Sequence, residues 1–212
     1  MSKEKKSQQV VLMHRFSGIF ISIFVALHLF NHLMSLGGVT SHIQTMESIR
    51  PIYRNIVVES LLMLAVVIQI VSGVRIFLKR RKLKKNFWLG LQLNSGMYLA
   101  IFLLIHVGAV LGGRMVLGLD TNFHFASAGL NGFPFSLFFI PYYSLAILSF
   151  WGHVAAIHAQ KMKRSILGIS AQKQAFFFLG IGLIITLLTV WGFTNGFQGH
   201  PLPIDYHILI GK

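Results

Sequence analysis

Cysteine is absent from the 212 residues, and acidic residues nearly so: five Asp and Glu stand against nineteen Lys and Arg. Without thiols the chain cannot be a disulfide-stapled secreted scaffold. Nor can it hold a thiolate-ligated iron–sulfur cluster, a c-type haem attachment or a Cys-based zinc site. Charge of either sign is scarce, 11% of residues, where an ordinary globular domain carries roughly a quarter. What fills the space is apolar: 54% hydrophobic residues, nineteen of the chain's residues being Phe. This composition excludes disorder, collagen and coiled coil, and describes an integral membrane protein. The net charge of +14 would point to nucleic acid in a soluble protein. Here the basic residues avoid the apolar runs, so they read first as a topology signal.

A bilayer core about 30 Å thick needs about 20 mostly apolar helical residues. Five segments qualify, 16–36, 56–78, 89–111, 135–159 and 175–193. They are long and continuous and lack the alternation of barrel strands. The expected fold is therefore all-α, one transmembrane domain over residues 1–212 with five spanning helices. The first span is too long for a cleavable signal peptide and carries His28 and His32 within it.

Basic residues set the orientation. The amino-terminal tail holds Lys3, Lys5, Lys6 and Arg15, and the second connection holds Lys79, Arg80, Arg81, Lys82, Lys84 and Lys85. The fourth holds Lys161, Lys163, Arg164 and Lys173, while the opposite side has Arg50, Arg54, Arg114 and Lys212. The positive-inside rule then puts the amino terminus in the cytoplasm and the carboxyl terminus outside. His42, His124, His200 and His207 fall in the outer connections or the tail, where they read as solvated loop residues. The Gly-rich stretch 112–135 is an outer connection able to fold over the mouth of a bundle.

A shift of 78 residues superposes the first span on the third: Ser17-Gly18 on Ser95-Gly96, Ile23-Phe24 on Ile101-Phe102, His28 on His106. Both spans run in the same direction, and each imidazole lies about 15 Å beyond its glycine at about 1.5 Å per residue. Two histidines thus occupy one depth on parallel helices, well inside the hydrocarbon. Ionisable groups there face a bundle interior or a cofactor. Neutral imidazole is a good iron ligand, and two at equal height suit the opposite faces of one haem. His28 and His106 are the candidate axial ligands, with Ser17 and Ser95 on the same helix faces. His32, one turn beyond His28, remains an alternative ligand.

A shift of 84 relates the second span to the fourth, placing Lys79-Arg80 on Lys163-Arg164 and Gln69 on His153. The first four spans so form a four-helix haem bundle with alternating diagonals. Its second diagonal lacks a ligand, because an amide binds haem iron poorly. His153 is a candidate for a second haem or for lining a pocket with Gln69; one haem b is expected and two remain open. His158 reads as interfacial.

His14-Arg15-Phe16-Ser17-Gly18 resembles the HRxSG signature that opens the first membrane helix of succinate dehydrogenase cytochrome b subunits. Gln69-Ile70-Val71-Ser72-Gly73-Val74-Arg75 resembles that family's HxxxGxR segment, with Gln where a haem-ligating His usually stands. Together with the five-span layout, the chain is similar over roughly residues 11–195 to the cytochrome b anchors of succinate dehydrogenase and quinol:fumarate reductase. The resemblance implies a multi-pass anchor in the bacterial cytoplasmic membrane. It would bind a flavoprotein and an iron–sulfur subunit on the cytoplasmic side and exchange electrons with menaquinone or ubiquinone through haem b. His28 and His106 match the outer ligand pair, and His153 falls near the fourth-helix ligand position.

Arg15 and Arg75 lie near the inner ends of their spans, suited to haem propionates or a quinone carbonyl, and His14 can relay a proton there. Glu59, the one acid within the apolar spans, lies near the outer end. The chain itself has no flavin site and no succinate chemistry of its own. Two other readings stay open: a membrane cytochrome b with a different partner, and a haem-free, histidine-lined permease.

Overall fold

In the computed structural model, which describes residues 3–84 and 86–212, the amino-terminal helix α1 runs unbroken over Lys3–Leu33. No proline interrupts those 31 residues. The helix extends about 46 Å at 1.5 Å per residue, so its basic first turns emerge beyond the apolar stretch. Lys85, one of the orientation-setting residues, lies outside the described set.

After a 3₁₀ turn over Met34–Gly37 the chain enters α2, Gly38–Tyr53. This segment reads as an open connection from its Ser, Thr, His and Gln content, yet it is helical, with His42 and Met46 one turn apart and buried. Helices α3 (Ile56–Arg80), α4 (Phe87–Met115), α6 (Ser136–Lys161) and α7 (Ala171–Phe193) follow, with a five-residue α5, Phe123–Ser127, inside the expected outer loop. A 3₁₀ segment over Ile204–Ile210 closes the tail.

Among the described residues five helical stretches are long and apolar enough to cross a membrane: α1 with its continuation into α2, then α3, α4, α6 and α7. Their apolar side chains mostly point outward; Leu104, Phe177 and Leu187 are each at least 60% exposed. That is the inverse of a water-soluble core, and it suits a chain whose helices satisfy their own backbone groups and turn their apolar surface to lipid. The multi-pass, all-helical expectation is met. The expected spans fall within three residues of the helix ends, except that α1 begins much earlier, α4 ends four residues later and α7 begins four residues earlier.

Two compact units are distinguished along the chain. One comprises Met1–Ile23, Ser60–Leu104 and Ala146–Ile184. Its core joins Trp88 to Ala155, Ala156 and Ala175, with Leu91 and Phe178 packed against them. The small alanines let α4, α6 and α7 approach closely, as small residues do in lipid, where van der Waals packing replaces the hydrophobic drive.

The other unit comprises Phe24–Glu59, Ile105–Leu145 and Ile185–Lys212. Its core is aromatic: Phe123 and Phe193 stack at 4.9 Å with planes 4° apart, beside Leu130. Here α7 passes the 3₁₀ turn so closely that a Cβ on Gly192 would lie 2.1 Å from Ser35 Oγ, so no larger residue fits. Asp120 fastens the loop after α4. It pairs with Arg50 at 2.8 Å and lies 3.8 Å from Arg54, and its backbone carbonyl accepts from the Tyr206 hydroxyl at 3.0 Å. Glu59 at the start of α3 pairs with Arg114 at the end of α4.

Candidate functional site

In the second unit, α1 and α4 bring His28 and His106 together, with ring centres 6.2 Å apart and planes at 67°. Two imidazoles bonded to one metal at about 2 Å through their ring nitrogens have ring centres about 6 Å apart, because each nitrogen lies about 1.1 Å from its ring centre. The separation of the two ring centres therefore matches that of two imidazoles sharing one metal. Aromatic rings enclose it: Phe24 stacks on His28 at 5.5 Å, and Tyr143 meets His106 edge-on at 6.3 Å.

His32 belongs to a different set of contacts. Its ring lies 4.2 Å from that of His28, but its Nδ1 is turned to His42 Nε2 at 3.3 Å. The Asn31 amide also donates to His42 Nε2, at 3.2 Å. A nitrogen accepting from an amide carries no proton, so His32 Nδ1 is the donor toward it. His42 then bears its own proton on Nδ1. That atom and Asn31 Oδ1 are buried with no hydrogen-bond partner among the described residues.

His42 is the main correction to its expected place in solvent. It is only 2% exposed, walled by His32, Phe123 and Phe193. The reason is that 38–53 winds as a helix and turns one face inward. The other outer histidines are half-buried rather than solvated. His200 Nε2 bonds the Gly192 carbonyl at 3.1 Å, His207 Nε2 that of Leu202 at 3.1 Å, and the His124 ring lies 5.6 Å from Tyr206.

In the first unit the two repeats interlock. Buried Ser17 donates to Gln69 Oε1 at 2.7 Å, and buried Ser95 lies 3.4 Å from His153 Nδ1. The glycines beside them serve the same pairs. A Cβ at Gly18 would lie 3.2 Å from the Gln69 amide, and one at Gly96 would lie 2.9 Å from the His153 ring. These glycines thus admit the side chain of a partner helix.

A further exchange was not read from the sequence. His14 and Gln92 are related by the shift of 78, and Gln69 and His153 by the shift of 84, so each half carries one imidazole and one Gln in opposite order. Gln69 Nε2 donates to His14 Nε2 at 3.2 Å, while His14 Nδ1 donates to Ser72 Oγ at 2.9 Å. Ser72 in turn donates to the Ile68 carbonyl. Across the repeat, His153 Nδ1 donates to the backbone carbonyl of Gln92 at 3.0 Å, while the Gln92 side chain accepts from Gln160. That bond fixes the tautomer and leaves Nε2 with its lone pair, the arrangement found in metal-ligating histidines. His14 has both nitrogens engaged, and Gln69 has both its carbonyl and its amide engaged. The shift of 78 already pointed to Gln92; Ser72 had no signal beyond lying three residues after Gln69.

Arg15 and Arg75 are exposed on α1 and α3, and His158 Nε2 donates to Gln174 Oε1 at 2.8 Å. Among the described residues no group of three or more His, Asp or Glu side chains is placed to hold a metal ion by itself. No family model, curated protein or solved structure matches the chain.

Proposed function

We propose that this chain is the haem b-carrying membrane anchor of a succinate:quinone oxidoreductase, working as a succinate dehydrogenase or fumarate reductase in a bacterial cytoplasmic membrane. The observation that carries the reading is the His28–His106 pair, set at a separation suited to one iron. The HRxSG-like and QxxxGxR segments support it. When bound, the haem moves single electrons between an iron–sulfur partner and membrane quinone.

The chain's own residues position and insulate. His28 and His106 supply neutral imidazoles, and Phe24 and Tyr143 keep water from them. Gln69 spends its amide on His14 and its carbonyl on Ser17, and His14 has both ring nitrogens engaged, which leaves His153 without a free imidazole as partner and favours one haem over two. Ser17, Ser95, Gln69 and His153 form a polar lining in the other unit. Exposed Arg15 offers a guanidinium to a quinone carbonyl beside His14, and exposed Arg75 offers one to a propionate. The flavoprotein and iron–sulfur subunits dock on the cytoplasmic face.

Reduced-minus-oxidised spectra of the purified protein test this. A dithionite-reducible b-type band is expected. It is lost in His28→Ala and His106→Ala and kept in His32→Ala. A protein with no such band would overturn the reading in favour of a histidine-lined permease. A haem-bearing chain that leaves native membranes without a flavoprotein would make it a cytochrome b with another partner.

A further inference from the structure

The segments that follow α3 and α6 each present a bare leucine on a basic stem. The shift of 84 that superposes Lys79-Arg80 on Lys163-Arg164 also superposes Leu83 on Leu167. Leu83 is 53% exposed and Leu167 94%, the latter at φ 51°. That is a backbone region which L side chains other than Asn and Asp rarely adopt. A water-facing turn would hold Gly or Asn there. Beside Leu167 the backbones of Ile166 and Ile169 bond to one another at 2.9 and 3.2 Å, pinching the turn and leaving both side chains outward.

In sequence, the charged residues flanking these apolar tips are all of one sign. Arg81, Lys82 and Lys84 flank Leu83, and Lys161, Lys163, Arg164 and Lys173 flank Leu167; all are exposed. No acidic residue occurs between Asp120 and Asp205. Only nine residues separate α6 from α7, so this turn stays close to where those helices leave the lipid.

An apolar tip with a cationic collar next to a membrane span matches a leaflet's own layering, acyl chains beneath phosphates. We propose that the two repeat-related Lys-Arg-x-x-Leu turns are interfacial anchors for anionic phospholipid. Leu83 and Leu167, with Ile166 and Ile169, enter the acyl boundary while the surrounding lysines and arginines hold headgroup phosphates. The proposal rests on the membrane spans alone and stands apart from haem binding.

The absence of native cysteine allows a unique label. The full chain carrying Ser165→Cys with an environment-sensitive fluorophore is placed in nanodiscs of phosphatidylcholine, or of phosphatidylcholine with phosphatidylglycerol, each with a shallow spin-labelled lipid. Blue-shifted, quenched emission is expected in the anionic discs and weaker quenching in the neutral ones. The anionic enhancement should fall roughly fivefold for each charge removed in Lys163→Gln and Arg164→Gln. Leu167→Ser should lower the quenching, and Leu83→Ser should do so for a label at Lys82→Cys. Water-like emission in both kinds of disc would overturn the proposal. So would a shift that appears only on adding a soluble protein partner, which would make the turns a protein interface.

Discussion

In the proposed haem-carrying anchor, Gln69 decides how many haems the chain can hold. Its amide and carbonyl are both bonded, to His14 and Ser17, while His153 keeps a lone pair on Nε2. Gln69→His supplies the imidazole missing from that diagonal, and haem quantification should rise from about one to about two per chain. A count that stays at one would show that Gln69 does not stand in for a ligand. His42 is a different kind of residue, buried and hydrogen-bonded to a histidine that is not the proposed ligand. Replacing it by Ala opens a cavity and removes partners from Asn31 and His32, a loss of about 2–4 kcal/mol by analogy with other large-to-small core changes. The thermal midpoint in detergent should fall while the b-type spectrum persists.

Among the elements, α2 and α5 do unexpected work. Both sit in stretches whose polar and glycine content reads as loop, and both bury one face against α7: His42 of α2 and Phe123 of α5 each meet Phe193. α5 starts at Asn122, whose side chain accepts from the His124 backbone amide at 2.9 Å. Burial and the nearby His200 ring lower the pKa of His124 below its ordinary 6.5. The folded state therefore favours neutral His124. Its contribution is full above pH about 6.5 and is lost as the pH falls through the depressed folded value. Hydrogen exchange, corrected for intrinsic rate, should show 120–131 less protected at pH 5.5 than at 7.5. His124→Gln, which cannot take up a proton, should flatten that difference.

Across the whole chain, orientation rests on charge. Fourteen of the nineteen basic residues lie in the tail and in the second and fourth connections, and Arg75 lies one turn before Lys79 near the carboxyl end of α3. With no native cysteine, single replacements report topology cleanly. A thiol at Ser7 should be reached only from the cytoplasm and one at Asn195 only from outside. The opposite pattern would place the proposed catalytic partners on the wrong face.

The spans, the paired repeats and the proximity of His28 and His106 were legible because lipid imposes a coarse, one-dimensional rule. About 20 apolar residues make a crossing, and equal spacing along parallel helices makes equal depth. Hydrogen-bond partners obey no such spacing. That His42 is buried beside His32, that Asp120 gathers Arg50, Arg54 and Tyr206, and that Gly18 and Gly96 admit Gln69 and His153 depend on how helix faces turn toward one another. The fold alone settled those contacts, because a polar group in a low-dielectric interior takes whichever partner its neighbouring helix presents.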